Sequence, residues 1–145
     1  VQMASVFAGA KLFKNGGGEA DASVLEGKTV GIYFSAHWCP PCRNFTPLLK
    51  DFHAELVDED AAFEIVFVSF DRNETDLKKY LEEAHGNWYY LGLEDELIKS
   101  LSAKYEVSGI PALIIIKPNG DLITKNGRSD VQGKPPAQAL KAWTA

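Results

Sequence analysis

The stretch Trp38-Cys39-Pro40-Pro41-Cys42 decides how this chain is read. It holds the only two cysteines of 145 residues, spaced Cys-x-x-Cys. Ahead of it, residues 28–35 carry Val30, Ile32, Tyr33 and Phe34, the pattern of a buried strand. Behind it, Phe45, Leu48, Leu49, Phe52 and Leu56 recur at helical spacing through residues 43–57. A strand that delivers two thiols to a helix N terminus suits redox chemistry. The thiols can close a small ring, and the positive field of the helix end lowers a thiol's pKa. A structural zinc takes four ligands, and only His37, His53 and His85 remain to complete a set without a second cysteine pair, so no metal is expected. A purely structural disulfide is a weak alternative, because so short a loop restricts the unfolded chain little.

The length fits one domain over residues 1–145, able to bury roughly two-thirds of the surface its unfolded chain exposes. Such a core needs no staples, which leaves the cysteines for function and suits a reducing compartment. A net charge of −5 with scattered lysines and arginines argues against nucleic-acid binding and against a polybasic membrane patch. Val1-Gln2 reads as a cloning remnant ahead of a natural start at Met3. Neither a basic-then-apolar leader nor an apolar run of membrane-spanning length is visible.

In chain order, residues 11–14 and 19–23 flank Asn15-Gly16-Gly17-Gly18 as a short edge hairpin. Residues 63–70 are nearly continuously apolar, as in a strand covered on both faces, and are expected beside the dithiol strand. Leu77, Tyr80, Leu81 and Ala84 give a helix over 74–85, and Leu97, Ile98 and Leu101 a helix over 94–105, with the aromatic segment 87–93 unassigned. Residues 112–116 and 122–124 flank Pro118-Asn119-Gly120-Asp121 as a second hairpin. Pro135 and Pro136 open a last helix over 137–143. Alternating elements followed by an antiparallel hairpin predict an α/β fold, a mixed sheet with helices on both faces.

Trp38-Cys39-Pro40-Pro41-Cys42-Arg43, Pro47 in the following helix, and Gly109-Ile110-Pro111 before a strand together resemble the thioredoxin superfamily. Tyr33-Phe34-Ser35-Ala36, Arg43-Asn44-Phe45-Thr46-Pro47 and Ser69-Phe70-Asp71 look like its tryparedoxin and nucleoredoxin branch. The resemblance implies a thioredoxin fold: a central mixed β-sheet flanked by helices on both faces, here with an N-terminal β-hairpin. It also implies a single-domain thiol-disulfide oxidoreductase that reduces protein disulfides without a bound cofactor. Its partners would be disulfide-containing proteins, an upstream reductase or dithiol, and signalling or transcription-factor proteins. A monomer is expected, in the cytoplasm and also the nucleus. The alternative is a redox-gated binding module in signalling, in which oxidation changes partner affinity more than it turns substrate over.

With Cys39 as helix cap, exposed at the strand end, Cys39 is expected to attack and Cys42, one turn inside, to resolve. Pro40 and Pro41 fill the first two helical positions without an N–H. The Cys42 and Arg43 amides are then the nearest donors, and thiolate stabilisation is expected to be moderate. Pro111 falls at the superfamily's cis-proline position, which implies that Ile110 and Pro111 face the dithiol and offer a backbone edge to substrate. Trp38 either shields Cys39 and docks substrate or packs ordinarily. Tyr33 stands where typical thioredoxins carry a buried Asp; it tunes the cysteines or simply packs. Asp71 either handles protons or caps the helix over 74–85. Arg128 resembles a substrate-contacting position of tryparedoxins, with a solvated loop arginine as the plain alternative. Trp88 is assigned to the core, and His37 to the surface.

Overall fold

The computed structural model describes Phe7 and residues 11–144 except Glu94. The proposed start at Met3 and the first residue of the helix expected over 94–105 lie outside the described residues. Among the described residues, seven strands form one sheet: β1 (Lys11–Lys14), β2 (Glu19–Asp21), β3 (Thr29–Ser35), β4 (Phe63–Ser69), β5 (Tyr89–Leu91), β6 (Ala112–Ile116) and β7 (Leu122–Thr124), in the order β2-β1-β5-β4-β3-β6-β7. The helices are α1 (Pro40–Asp58), α2 (Glu74–Ala84), α3 (Leu97–Lys104), α4 (Gly127–Gly133) and α5 (Pro136–Trp143).

The sheet is mixed because of what connects its strands. β3, β4 and β5 run parallel, joined by α1 and α2, whereas β6 returns antiparallel to β3 and β7 closes a hairpin. Every residue of β3 and β4 is buried, as their nearly continuous apolar runs require. Alternation along β3 then divides the core. Val30, Ile32 and Phe34 pack with Leu101 and Tyr105 on the α3 side, while Tyr33 packs with Phe45, Leu49, Tyr80 and Trp143 among α1, α2, α4 and α5. Helices thus cover both faces, as the thioredoxin fold requires.

Three features depart from the sequence reading. Residues 89–91 of the aromatic segment form β5, which pairs with β4 and also with β1, so the N-terminal hairpin is joined to the main sheet and, of its two strands, β2 alone lies at an edge. The helix α4 has a single buried apolar side chain, Val131, and so no period to read. What places it is Gly127, where a Cβ would come within 2.8 Å of the Leu113 carbonyl oxygen, so α4 lies directly on β6. Finally α3 begins at Leu97, with Asp95 ahead of it accepting the Leu97 amide at 2.9 Å.

Candidate active site

β3 and β4 are parallel and in register to their last residues, Ser35 opposite Ser69, so the segments that follow them leave the sheet side by side. The first of these carries the dithiol into α1. Cys39 is the N-cap, Pro40 and Pro41 are the first two helical residues, and Cys42 is the third. The two cysteines are disulfide-bonded, their Cα atoms 5.2 Å apart. The Cys42 amide donates to Cys39 Sγ at 3.3 Å, the cap bond expected from the residue pattern. The Arg43 amide does not join it: it donates to the Cys39 carbonyl at 3.1 Å, as the first regular helical bond. One backbone donor therefore serves the sulfur, where two were expected.

Cys39 is also less open than a strand-end position suggests, at 4% exposure against 0% for Cys42. Both cysteines pack with Ala36 and against Phe70 and Ile110. The Ile110–Pro111 peptide is cis, as the resemblance implied, and the Ile110 carbonyl oxygen lies 3.8 Å from Cys39 Sγ. Pro40, Pro41 and Trp38 are exposed, Trp38 by 52%. Trp38 is held nonetheless, since its Nε1 donates to the Phe70 carbonyl at 3.0 Å.

Asp71 sits in the neighbouring segment, buried. Its Oδ1 accepts the His37 amide at 2.8 Å and its Oδ2 accepts the Ser69 hydroxyl at 2.6 Å. The cap on α2 comes instead from Asn73, whose side chain accepts the Asp76 amide at 2.9 Å. Asp71 thus ties the residue before Trp38 to the end of β4. His37 faces α2, where its Nε2 lies 3.5 Å from a Glu83 oxygen. Arg128 is in the first turn of α4 rather than a loop, its guanidinium 5.9 Å from the centre of the Phe45 ring, one turn beyond Cys42.

Below Cys42 lies a cluster of hydroxyls, of which the sequence reading picked out Tyr33 alone. Thr46 donates from Oγ1 to the Cys42 carbonyl at 2.8 Å, and the same oxygen lies 2.6 Å from the Tyr33 hydroxyl and 2.5 Å from that of Tyr80. Tyr80 also reaches Ser35 Oγ at 2.6 Å. Burial, followed by the neighbouring Tyr80, pushes Tyr33 far above the usual phenol range, and burial raises Tyr80 as well. Both stay neutral and act as hydrogen-bonding anchors of the first turn of α1. Tyr33 and Ser35 share a face of β3 and Thr46 lies four residues past Cys42, spacings that could have flagged them. Nothing local points to Tyr80.

Beside the hydroxyls is His85, its ring centre 4.3 Å from those of Tyr80 and Phe67. Trp88 Nε1 donates to His85 Nδ1 at 3.0 Å, which leaves the proton of the neutral ring on Nε2, a buried atom without a partner among the described residues. Burial, then the nearby Lys50 charge, lowers its pKa to about 3. Trp88 is buried in the core, as expected.

A dithiol at a helix cap, facing a cis-proline loop at the end of a mixed sheet, defines a thioredoxin-type redox site. A thioredoxin-like family model matches residues 27–122, and the chain belongs to that family, in its nucleoredoxin and tryparedoxin branch. The chain is 43% identical to nucleoredoxin of Mus musculus over 121 residues, 83% of this chain but 27% of the relative's length. Among solved structures, it resembles a thioredoxin from Wuchereria bancrofti at 50% identity and TM-score 0.82, covering 99% of this chain and 98% of that one. Tryparedoxin I from Leishmania major matches at 38% identity and TM-score 0.79, over 87% and 86% of the two chains.

Proposed function

We propose that this domain reduces protein disulfides through Cys39 and Cys42. The observation that carries the reading is the placement of Cys39 Sγ between the α1 cap and the Ile110 carbonyl, where an extended substrate peptide could lie along the cis-proline loop. The Cys39 thiolate attacks one sulfur of the substrate disulfide, forming a mixed disulfide as the substrate's own bond breaks and its other thiolate leaves to take a proton. Cys42 loses its proton to water or to that thiolate and attacks Cys39 Sγ. The Cys39–Cys42 bond forms, the second substrate thiolate leaves, and two electrons have passed from dithiol to substrate. A dithiol reductant, a small molecule or a protein, returns the pair to the reduced state. Cys39 is the attacking sulfur because Cys42 is wholly enclosed.

The test is turnover of a protein disulfide such as that of insulin with dithiothreitol as donor. Wild type should accelerate it and Cys39→Ser should not. If Cys39→Ser leaves turnover intact, the dithiol mechanism is wrong. If wild type shows no turnover yet binds partners only when reduced, the redox-gated binding reading replaces it.

A further inference from the structure

Glu64 interrupts the apolar run of β4, between Phe63 and Ile65, and it is buried. β5 pairs with β4 at Val66 and Phe67 but not at Glu64. There a cavity of about 520 Å³ opens between α1, the start of β4, the end of β1 and the loop before β5. Asn15 Nδ2 donates to the Leu81 and Gly86 carbonyls at 3.2 and 2.9 Å, which pins the loop that forms part of its wall, so the cavity is built into the fold. Its deepest polar group is the buried pair of His53 and Glu64. His53 Nε2 and the Ile65 amide both bond Glu64 Oε1, at 2.7 and 3.0 Å, and among the described residues Oε2 has no partner. One satisfied oxygen does not repay the desolvation of a buried carboxylate, which marks the free oxygen as a place for a donor from outside.

The same cavity is lined by two exposed lysines, Lys14 and Lys50, and among the described residues neither pairs with a carboxylate. The Lys14 ammonium stands 5.5 Å from the centre of the Tyr89 ring, and burial, then the Glu64 charge, raises the Tyr89 hydroxyl, so lysine and carboxylate are neighbours of one ring. The Lys50 charge acts on His85, which also lines the cavity. Ala54 and the exposed Val57 make one side apolar, with Asp58 next along α1. A buried acceptor, cations nearer solvent and an apolar side fit a small molecule with one group of each sign. We propose that this cavity binds a free α-amino acid, with its ammonium on Glu64 Oε2, its carboxylate on Lys14 and Lys50, and an uncharged side chain along Ala54 and Val57. Asp58 disfavours an acidic side chain. A simple anion would meet Glu64 with like charge, and a simple amine would leave both lysines unmet. Lys50 lies about 12 Å beyond Cys42 along α1, so the site is separate from the dithiol and does not rest on its chemistry.

The probe is L-leucine, titrated into the oxidised full chain and followed by amide-correlation NMR at Gly86 and Asn87. Its comparators are N-acetyl-L-leucine, which lacks the ammonium, and L-leucinamide, which lacks the carboxylate. Leucine should shift both amides saturably, and each comparator should bind at least about tenfold more weakly, the loss expected for one charge-assisted hydrogen bond. Lys50→Gln should weaken leucine by a similar factor and leave leucinamide unchanged. Glu64→Gln, which keeps an acceptor for His53 and the Ile65 amide, should weaken leucine and leave N-acetyl-leucine unchanged. Lys79→Gln, on α2 and outside the cavity, should change nothing. If Glu64→Gln does not fold, the two comparators and Lys50→Gln decide the matter alone. No saturable shift with leucine overturns the site. N-acetyl-leucine binding as tightly as leucine marks a plain anion site, leucinamide binding as tightly marks a plain amine site, and either result overturns the amino-acid assignment. Disulfide turnover stands or falls separately from all of these outcomes.

Discussion

Replacing Pro41 by alanine should make the dithiol more oxidising, and replacing Pro40 should not. A cap side chain accepts from the amide of the second or third helical residue. Here the third is Cys42, which donates at 3.3 Å, and the second is Pro41, which has no N–H. Pro40 is the first helical residue, whose amide does not serve the cap, and the Arg43 amide is already taken by the Cys39 carbonyl. Pro41→Ala therefore adds one charge-assisted bond to the Cys39 thiolate, worth about 1.5 kcal/mol at the low end for such bonds. That lowers the Cys39 pKa by about one unit. Where the thiolate dominates, it shifts the two-electron couple by about 30 mV toward oxidising, since the reduced form is stabilised. A redox titration against glutathione at pH 8, paired with alkylation of the reduced protein against pH, reads both quantities. A Pro41→Ala protein as reducing as wild type, or a Pro40→Ala protein with the same shift, would refute the argument that backbone donors set the potential.

Thr46→Val should cost about 1–3 kcal/mol in urea denaturation, because the Tyr33 and Tyr80 hydroxyls each lose a buried partner; a neutral result would mean that the hydroxyl cluster anchors nothing. Asp71→Ala should free the His37 amide and loosen the segment that carries Trp38, seen as lower Trp38 fluorescence anisotropy in a background where Trp88 and Trp143 are replaced; unchanged anisotropy would contradict the anchoring role. His85 has a folded pKa of about 3, below its unfolded value of 6.5, so it stays neutral in the folded protein while the unfolded chain takes up a proton as pH falls below 6.5. Its contribution is intact above that pH and is lost on acidification, by about 2 kcal/mol between pH 7 and pH 5. His85→Gln, which keeps an acceptor for Trp88, should show an acid limb shallower by that amount, and a limb as steep as wild type would place the titration elsewhere.

The parts of this structure that were legible in the sequence are those written locally. Apolar runs made β3 and β4 buried neighbours, the Cys-x-x-Cys spacing at a strand–helix junction located the dithiol, and Gly109-Ile110-Pro111 marked the cis-proline loop through resemblance. What escaped depends on contacts between distant segments. Residues 89–91 become a strand because β1 and β4 flank them, and α4 exists because Gly127 can lie on Leu113. Cys39 reads as an exposed cap, yet Ile110 and Phe70 close over it from loops 71 and 31 residues away. The support for Cys42 combines Tyr33 and Thr46, visible near the motif, with Tyr80, which only the packing of α2 brings in. Asp71 read either as a proton handler or as a cap for the helix it precedes; the cap comes from Asn73, and the end of β4 turns the Asp71 carboxylate back toward His37.

The division of labour between the two sulfurs is tested most directly by trapping. Reduced Cys42→Ser and Cys39→Ser proteins are each mixed with a disulfide-bonded substrate, quenched with acid, and examined for mixed disulfides by mass spectrometry. Cys42→Ser should accumulate a stable adduct through Cys39, and Cys39→Ser, whose remaining sulfur is fully enclosed, should accumulate none. An adduct that forms through Cys42 while Cys39 stays unmodified would contradict the account.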